Sequence, residues 1–344
     1  MVETLLARYA DSLFWLARYV ERAENLARIL DVNETFSRDA RGTQNWLSIV
    51  QLFADEERFF ARHAVADADS VLDFYVLDHT NPTSIVSDIQ AAWGNARNLR
   101  PLISTEMWVH LNVFHNRLSA LDPGELAPGR RNHFFAGVKE ACQTHTGITE
   151  GTFYRDQGWY FYEIGRYIER ADQTTRLLDM KYHLLLPRTQ DVGSPVDVSQ
   201  WNALLRSAAG YHAYRRLEPG GVTPSRVAGF LLLNRRFPRS VYLGVRQTET
   251  LLGELKARYG LRGGNAAAEV LDALRALLGT LTIAEILQQG LHEFLDLVQL
   301  RLNAVTEHLG RAFFGHAPET PPTEPPPTEP PPTETVQAQI EQTQ

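Results

Sequence analysis

The sequence is short of thiols, of long apolar runs and of local catalytic signatures. One cysteine, Cys142, in 344 residues cannot close an internal disulfide and supplies no thiolate set for a metal, which suits a reducing compartment. No His or Asn context singles it out as a nucleophile, so it reads as a buried thiol. No apolar run approaches the ~20 residues a membrane-spanning helix needs. The first eleven residues show a charged start in place of an apolar leader core, and a cytoplasmic protein with no membrane partner is expected. Apolar/polar alternation with β-branched enrichment is missing, which predicts no sheet. Gly-x-x-x-x-Gly-Lys and Gly-x-Ser-x-Gly are missing too, and the 11 histidines show no His-Glu-x-x-His spacing. No cofactor and no metal are expected. Basic excess is lacking as well. The net charge is −7, but Glu319, Glu324, Glu329, Glu334 and Glu341 follow His316 with no Lys or Arg among them. The remainder is close to neutral, which speaks against a nucleic-acid partner.

Proline marks one boundary. Nine of the 18 prolines fall between Pro318 and Pro332, and such a segment has nothing to bury and few backbone donors. Residues 316–344 are expected to form a disordered, polyproline-II-like tail, with a Pro-x-x-P ligand for a partner's groove as the alternative. Before it, helical periodicity dominates. Leu13, Leu16, Val20, Ala23, Ala27 and Leu30 line one stripe, as do Phe161, Ile164, Ile168, Ala171, Thr175 and Leu178. Ala284, Leu287, Leu291, Phe294 and Val298 predict a last helix stopped by Gly310 and Gly315. Breaks are expected at Asn81-Pro82, Asp122-Pro123-Gly124, Leu186-Pro187, Gly220-Gly221 and Gly263-Gly264.

A shift of 148 residues lays Arg18-Tyr19-Val20-Glu21-Arg22-Ala23 on Arg166-Tyr167-Ile168-Glu169-Arg170-Ala171. The match continues through Glu24/Asp172, Arg28/Arg176 and Asp31/Asp179. Trp46 and Trp201 each precede an apolar run, and Pro82 stands as far before Arg97 as Pro224 before Arg239. Residues of about 9–120 and 157–262 read as two copies of one unit. The expected architecture is all-α: a helical bundle of two duplicated halves, 1–150 and 151–315, followed by the tail.

Glu21, Glu24, Arg28 and Asp31 share one side of their helix beside the apolar stripe, and Glu169, Asp172, Arg176 and Asp179 do the same. If the helices pack, up to six carboxylates meet several guanidinium groups. A carboxylate metal pair would need Glu-x-x-His partners, and only His292 with Asp296 offers a weak substitute. A second, lesser reading has the acids bind substrate. The favoured reading is a network of buried bidentate pairs fixing the helix register. Arg226, Arg235, Arg236 and Arg239 gather around Phe237-Pro238, with Arg97 and Arg100 related to them. Arg97, Arg100, Arg236 and Arg239 are candidates for holding an anionic group, against the plainer reading of a solvated face. Trp159, Tyr160, Phe161 and Tyr162 read as core.

The paired Tyr-(Val/Ile)-Glu-Arg-Ala helices, Asn81-Pro82-x-Ser84, Asn95-Ala96-Arg97, Ser104 to Trp108 with Asn112, and Phe237-Pro238-Arg239-Ser240 together resemble the bacterial alpha-E family over about residues 1–312. The resemblance implies an all-helical accessory protein working with a circularly permuted ATP-grasp ligase, often alongside a transglutaminase-like protein. That implies a part in ATP-dependent amide-bond formation, as partner of a ligase on a separate chain or as a substrate-positioning module. It carries over Tyr19, Glu21, Arg22, Tyr167, Glu169 and Arg170, with Arg97 and Arg239. The alternatives are a stand-alone hydrolase or transferase using the cluster, and a pure scaffold.

Overall fold

The computed structural model describes residues 5–39, 46–185 and 195–317. The break at Leu186-Pro187 and the proline-rich segment lie outside them. Among the described residues there are 15 α-helices and no strand. The first half holds α1 (Ala7–Asp39), α2 (Leu47–Leu52), α3 (Glu56–Phe60), α4 (Ala68–Leu72), α5 (Ile85–Asn98), α6 (Thr105–Ser119) and α7 (Arg131–Thr152). Then come α8 (Gln157–Leu185), α9 (Pro195–Ser207), α10 (Tyr211–Leu217), α11 (Pro224–Leu233), α12 (Val241–Tyr259), α13 (Asn265–Thr280), α14 (Ile283–Gln289) and α15 (Leu291–Leu309). No helix is long and apolar enough to cross a membrane.

The two long helices α1 and α8 form the central pair, and α5 covers α1 as α12 covers α8. The packing is reciprocal: α2 follows α1 but rests on α8, whereas α9 follows α8 but packs chiefly on α1. Both apolar stripes predicted for α1 and α8 are buried. Gly165 lets the pair approach closely, since a Cβ there would stand 2.4 Å from the Phe14 carbonyl oxygen. Because neighbours surround the pair, their polar sides are buried too, and buried charge is tolerable only when paired.

Local chemistry sets the boundaries. Ser84, Ser104 and Ser240 accept hydrogen bonds from the third backbone N–H of α5, α6 and α12, each cap contributing about 1 kcal/mol. Thr223 caps α11 with Pro224 in its first turn, and Asp122-Pro123-Gly124 opens a single 3₁₀ turn. The stripe predicted for the last helix needs correction. Gly290, at φ 108°, separates α14 from α15, and Ala284 and Leu287 are exposed while Ile286 is buried. The break rotates the two segments relative to each other, so one stripe cannot run through both. The stop at the far end is as expected: α15 passes through a π turn at Gly310–Phe314 to Gly315 at φ 77°.

Candidate functional site

Where α1 and α8 meet, each helix clasps the carboxylate of the other. Arg22 donates from Nε and Nη2 to the two oxygens of Glu169 at 2.8 and 3.1 Å. Arg170 donates in the same way to Glu21 at 2.9 and 2.7 Å. Each fork is the planar, two-bond geometry that makes Arg–carboxylate pairs strong and directional. The tyrosine of each motif lies three residues before its arginine and supports it: the Arg22 guanidinium stands 5.6 Å from the Tyr19 ring centre and that of Arg170 5.9 Å from Tyr167. Glu21 is 2% exposed and Glu169 1%, so neither opens on solvent.

The two flanks of this clasp differ. On the Glu21 side Arg239 reaches in from the turn before α12. It donates to Glu21 at 3.0 Å, to the Asn25 side-chain oxygen at 3.1 Å and to Glu24 at 2.6 Å. Glu24 also holds Arg28 and Gln143. On the Glu169 side the second guanidinium is Arg18, at 2.7 Å, which also bonds Thr306 of α15. Asp172 holds Arg176 at 2.9 Å through one oxygen. Beside Arg22 lies Asp88 of α5, fully buried, with the guanidinium 3.9 Å away and no hydrogen-bond partner on either oxygen. The counterpart of Arg18, Arg166, turns instead to Glu163 and Glu150.

Electrostatics follow this wiring. Burial alone would raise Glu21, but Arg170 and Arg239 outweigh it and hold the carboxyl well below its ordinary value. Burial likewise opposes Arg22 and Arg18 at Glu169, and the arginines prevail. Asp88 goes the other way: burial pushes it well up, Arg22 only partly offsets that, and the nearby Glu169 adds to it. His145, sealed beside His110 with both ring nitrogens unpartnered, is pushed down to about 3 by burial.

The structure brings together Glu21, Arg22, Glu24, Arg28, Glu169, Arg170, Asp172 and Arg176, with Tyr19 and Tyr167 at the edge. Of the six carboxylates expected to gather, Glu21, Glu24, Glu169 and Asp172 do so, and Asp31 and Asp179 do not. Asp31 and Asp179 sit ten residues along their helices from Glu21 and Glu169, about 15 Å at 1.5 Å per residue. Asp31 turns to Lys139 and Asn132 of α7, and Asp179 to His292 of α15. Ligand atoms of Asp179, His292 and Asp296 lie within 4.8 Å of one another. Both ring nitrogens of His292 face carboxylates, at 2.9 and 3.5 Å, which favours the doubly hydrogen-bonded imidazolium. Partial burial opposes that charge, yet Asp179 and Asp296 raise the His292 pKa above its ordinary value.

The four candidate anion-binding arginines do not converge. Arg239 is buried among acids, Arg236 is exposed, and Arg97 and Arg100 are exposed on α5 and the turn after it, laid on Trp93 and Trp108 at 5.1 and 5.2 Å. The equal Pro82–Arg97 and Pro224–Arg239 intervals therefore mark different places. The structural counterpart comes from another register: Asn81-Pro82-Thr83-Ser84 before α5 matches Phe237-Pro238-Arg239-Ser240 before α12, a shift of 156. Ser84 and Ser240 each donate to the carbonyl six residues earlier, of Asp78 and Asn234. Arg239 thus corresponds to Thr83, and Asp88 to Gly244. Asp88, Asn25 and Gln173 escaped the sequence reading, although Asn25 and Gln173 each stand four residues after a clasp glutamate and bond to it. Cys142 is buried, its thiol pushed well up by burial, and Tyr160, Phe161 and Tyr162 are core.

This architecture defines a class: all-helical chains whose two central helices are locked by exchanged Glu-Arg pairs. The chain belongs to the Alpha-E family, described as a predicted alpha-helical domain with a conserved ER motif, which matches residues 5–314. Uncharacterized proteins of Mycobacterium bovis and Mycobacterium tuberculosis are similar to it, 25% identical over 291 residues, covering 79% of this chain and 32% of theirs. The chain thus spans about a third of the length of these relatives. No solved structure matches it.

Proposed function

We propose that the protein is a non-catalytic helical partner of an amide-bond-forming ATP-grasp ligase acting in the cytoplasm, with the Glu-Arg helices as its internal brace. The observation that carries this reading is the sealing of Glu21 and Glu169. Each is forked by an arginine of the other helix, with a second guanidinium in addition. A carboxylate held charged between two guanidinium groups and sealed from solvent is poorly placed to activate water or a nucleophile, which supports the motif as part of the frame. The work then falls to the surface, where Arg97 and Arg100 on their tryptophans would meet carboxylates of a partner. That the match covers only a third of the mycobacterial relatives supports a module that works beside other polypeptide. The ligase, and a transglutaminase-like protein with it, are what the family resemblance implies.

Affinity purification of the full chain from its native cells, with identification of bound proteins by mass spectrometry, tests this. An ATP-grasp ligase is expected to co-purify, and Arg97→Ala with Arg100→Ala is expected to reduce its recovery. Repeated purifications of folded protein that retrieve no such ligase would refute the partnership.

A further inference from the structure

The turn from α9 into α10 gathers two arginines around one tyrosine. Ala209 holds φ 54°, a left-handed conformation that residues with a side chain rarely adopt, and the Gly210 N–H returns to the Leu205 carbonyl at 2.7 Å. A Cβ on Gly210 would stand 3.0 Å from the rings of Phe230 and Phe237, so the turn is seated on the core. Tyr211 then meets Arg206 of α9 and Arg215 of α10. Their guanidinium carbons lie 4.7 and 5.7 Å from its ring centre, and Arg215 donates from Nη1 to the Tyr211 oxygen at 3.1 Å. Hydrogen bonds from both arginines hold the phenol below its ordinary pKa. Among the described residues neither guanidinium has a carboxylate partner, and both spend their contacts on Tyr211.

Tyr211 lines two cavities at once. One, of about 440 Å³, is shared with Arg206, Ala209 and His212. The other, of about 360 Å³, is shared with Asn202, Arg215, Glu218 and Val222 among others, and the Tyr214 hydroxyl fixes its far wall by donating to the Gly221 carbonyl at 3.0 Å. Both volumes are of the size that small-molecule sites have. Charge decides what fits. Each cavity offers one guanidinium, and the second also offers the Glu218 carboxylate, whose own cation, Arg226, stands 3.9 Å away. A dianionic phosphate beside Arg215 would face Glu218. A carboxylate with an ammonium group next to it satisfies Arg215 and Glu218 together, and Arg206 in the other cavity answers a second carboxylate. The two guanidinium groups are no farther apart than their distances to the shared ring laid end to end, a span that two carboxyl groups joined by a short carbon chain can bridge.

We propose that Arg206, Tyr211, Arg215 and Glu218 form a binding site for a free acidic α-amino acid, with its α-carboxylate at Arg215, its ammonium at Glu218 and its side-chain carboxylate at Arg206. The arginines meet the carboxylates through their planar forks, and the Tyr211 ring is the surface over which the carbon chain lies. The site shares no residue with the Glu-Arg clasp or with Arg97 and Arg100, so it stands or falls separately from the ligase partnership.

Isothermal titration of the full chain with L-glutamate, L-glutamine and N-acetyl-L-glutamate tests it. Glutamate is expected to bind saturably. Glutamine, which lacks the second carboxylate, and N-acetylglutamate, which lacks the ammonium, are each expected to bind at least about tenfold more weakly. Arg206→Gln should erase the preference for glutamate over glutamine, and Glu218→Gln the preference for glutamate over N-acetylglutamate. Arg206 and Arg215 are exposed, so their variants should keep the wild-type melting temperature. Arg262→Gln, which removes the same charge from the exposed turn between α12 and α13, should leave glutamate affinity unchanged. No saturable glutamate binding up to roughly 10 mM overturns the proposal, as does glutamine binding as tightly as glutamate. Unchanged affinity in folded Arg206→Gln and Arg215→Gln, or an equal loss in Arg262→Gln, would overturn it as well.

Discussion

The Glu21 flank and the Glu169 flank are built from the same sequence pattern, yet they reach different electrostatic ends. On the first, two carboxylates face three guanidinium groups and every acceptor of Glu21, Asn25 and Glu24 that Arg239 touches is bonded. On the second, a third carboxyl arrives from α5 without a cation of its own. The comparison teaches that a helix motif sets the clasp, while the turns before α5 and α12 decide how completely it is satisfied. Thr83 and Arg239 are the two residues on which that difference turns.

Removing Glu21 should have the largest effect. Glu21→Ala strands Arg170 and Arg239 in a sealed site and is expected to cost about 3–5 kcal/mol in urea unfolding. Glu169→Ala should cost less, because Arg22 can swing toward solvent, and equal losses would break the comparison. Next comes Gly165→Ala, which drives a methyl into the Phe14 carbonyl. It is expected to cost about 1–3 kcal/mol and to weaken both flanks together. Asp88→Asn should work in the opposite direction and, at pH values where Asp88 is ionised, stabilise the fold by roughly 1 kcal/mol, by removing a buried carboxylate whose oxygens accept no hydrogen bond. The folded-state pKa of Asp88 is raised, so its penalty is absent in acid and grows as pH rises through that raised value. The gain from Asp88→Asn should follow the same course.

The pH profile sharpens the picture further. Glu21 and Glu169 have folded values below their ordinary 4.5, so their contribution is complete above that value and is lost as pH falls through the depressed ones. His145, lowered to about 3 from 6.5, adds stability that is present above 6.5 and declines as the solution is acidified toward 3. His292, raised, contributes below 6.5 and loses that contribution as pH rises through its folded value. The smallest effect is therefore expected from His292→Gln: a slight loss near pH 5.5 that vanishes in alkali, read from melting temperatures across pH.

Much of this was legible in the sequence. The stripes of α1 and α8 repeat every three and four residues, and placing Glu and Arg beside such a stripe forces them inward once both sides of the helix are covered. The Asn81, Ser84, Ser104 and Ser240 positions that carry the family resemblance turn out to be turn residues and helix caps, a chemistry that sequence shows directly. What stayed hidden depends on register and rotation. The Pro–Arg interval pairs Arg239 with Arg97, although the caps pair it with Thr83. Asp88 lies in an ordinary helix, and only the packing of α5 over Arg22 reveals its burial. Gly290 was visible, but a continuous stripe across it was compatible with spacing alone. Asp31 and Asp179 matched the motif's spacing and still left the seam, because helical rise carries them to other neighbours.

The central claim is that the Glu-Arg motif is a reciprocal clasp between α1 and α8. A double-mutant cycle on Arg22→Met and Glu169→Gln, measured by urea unfolding, tests it most directly. A coupling energy of at least about 1.5 kcal/mol is expected for a desolvated, two-bond pair. Additive effects within about 0.5 kcal/mol would contradict the clasp and with it the account of why this motif occurs twice.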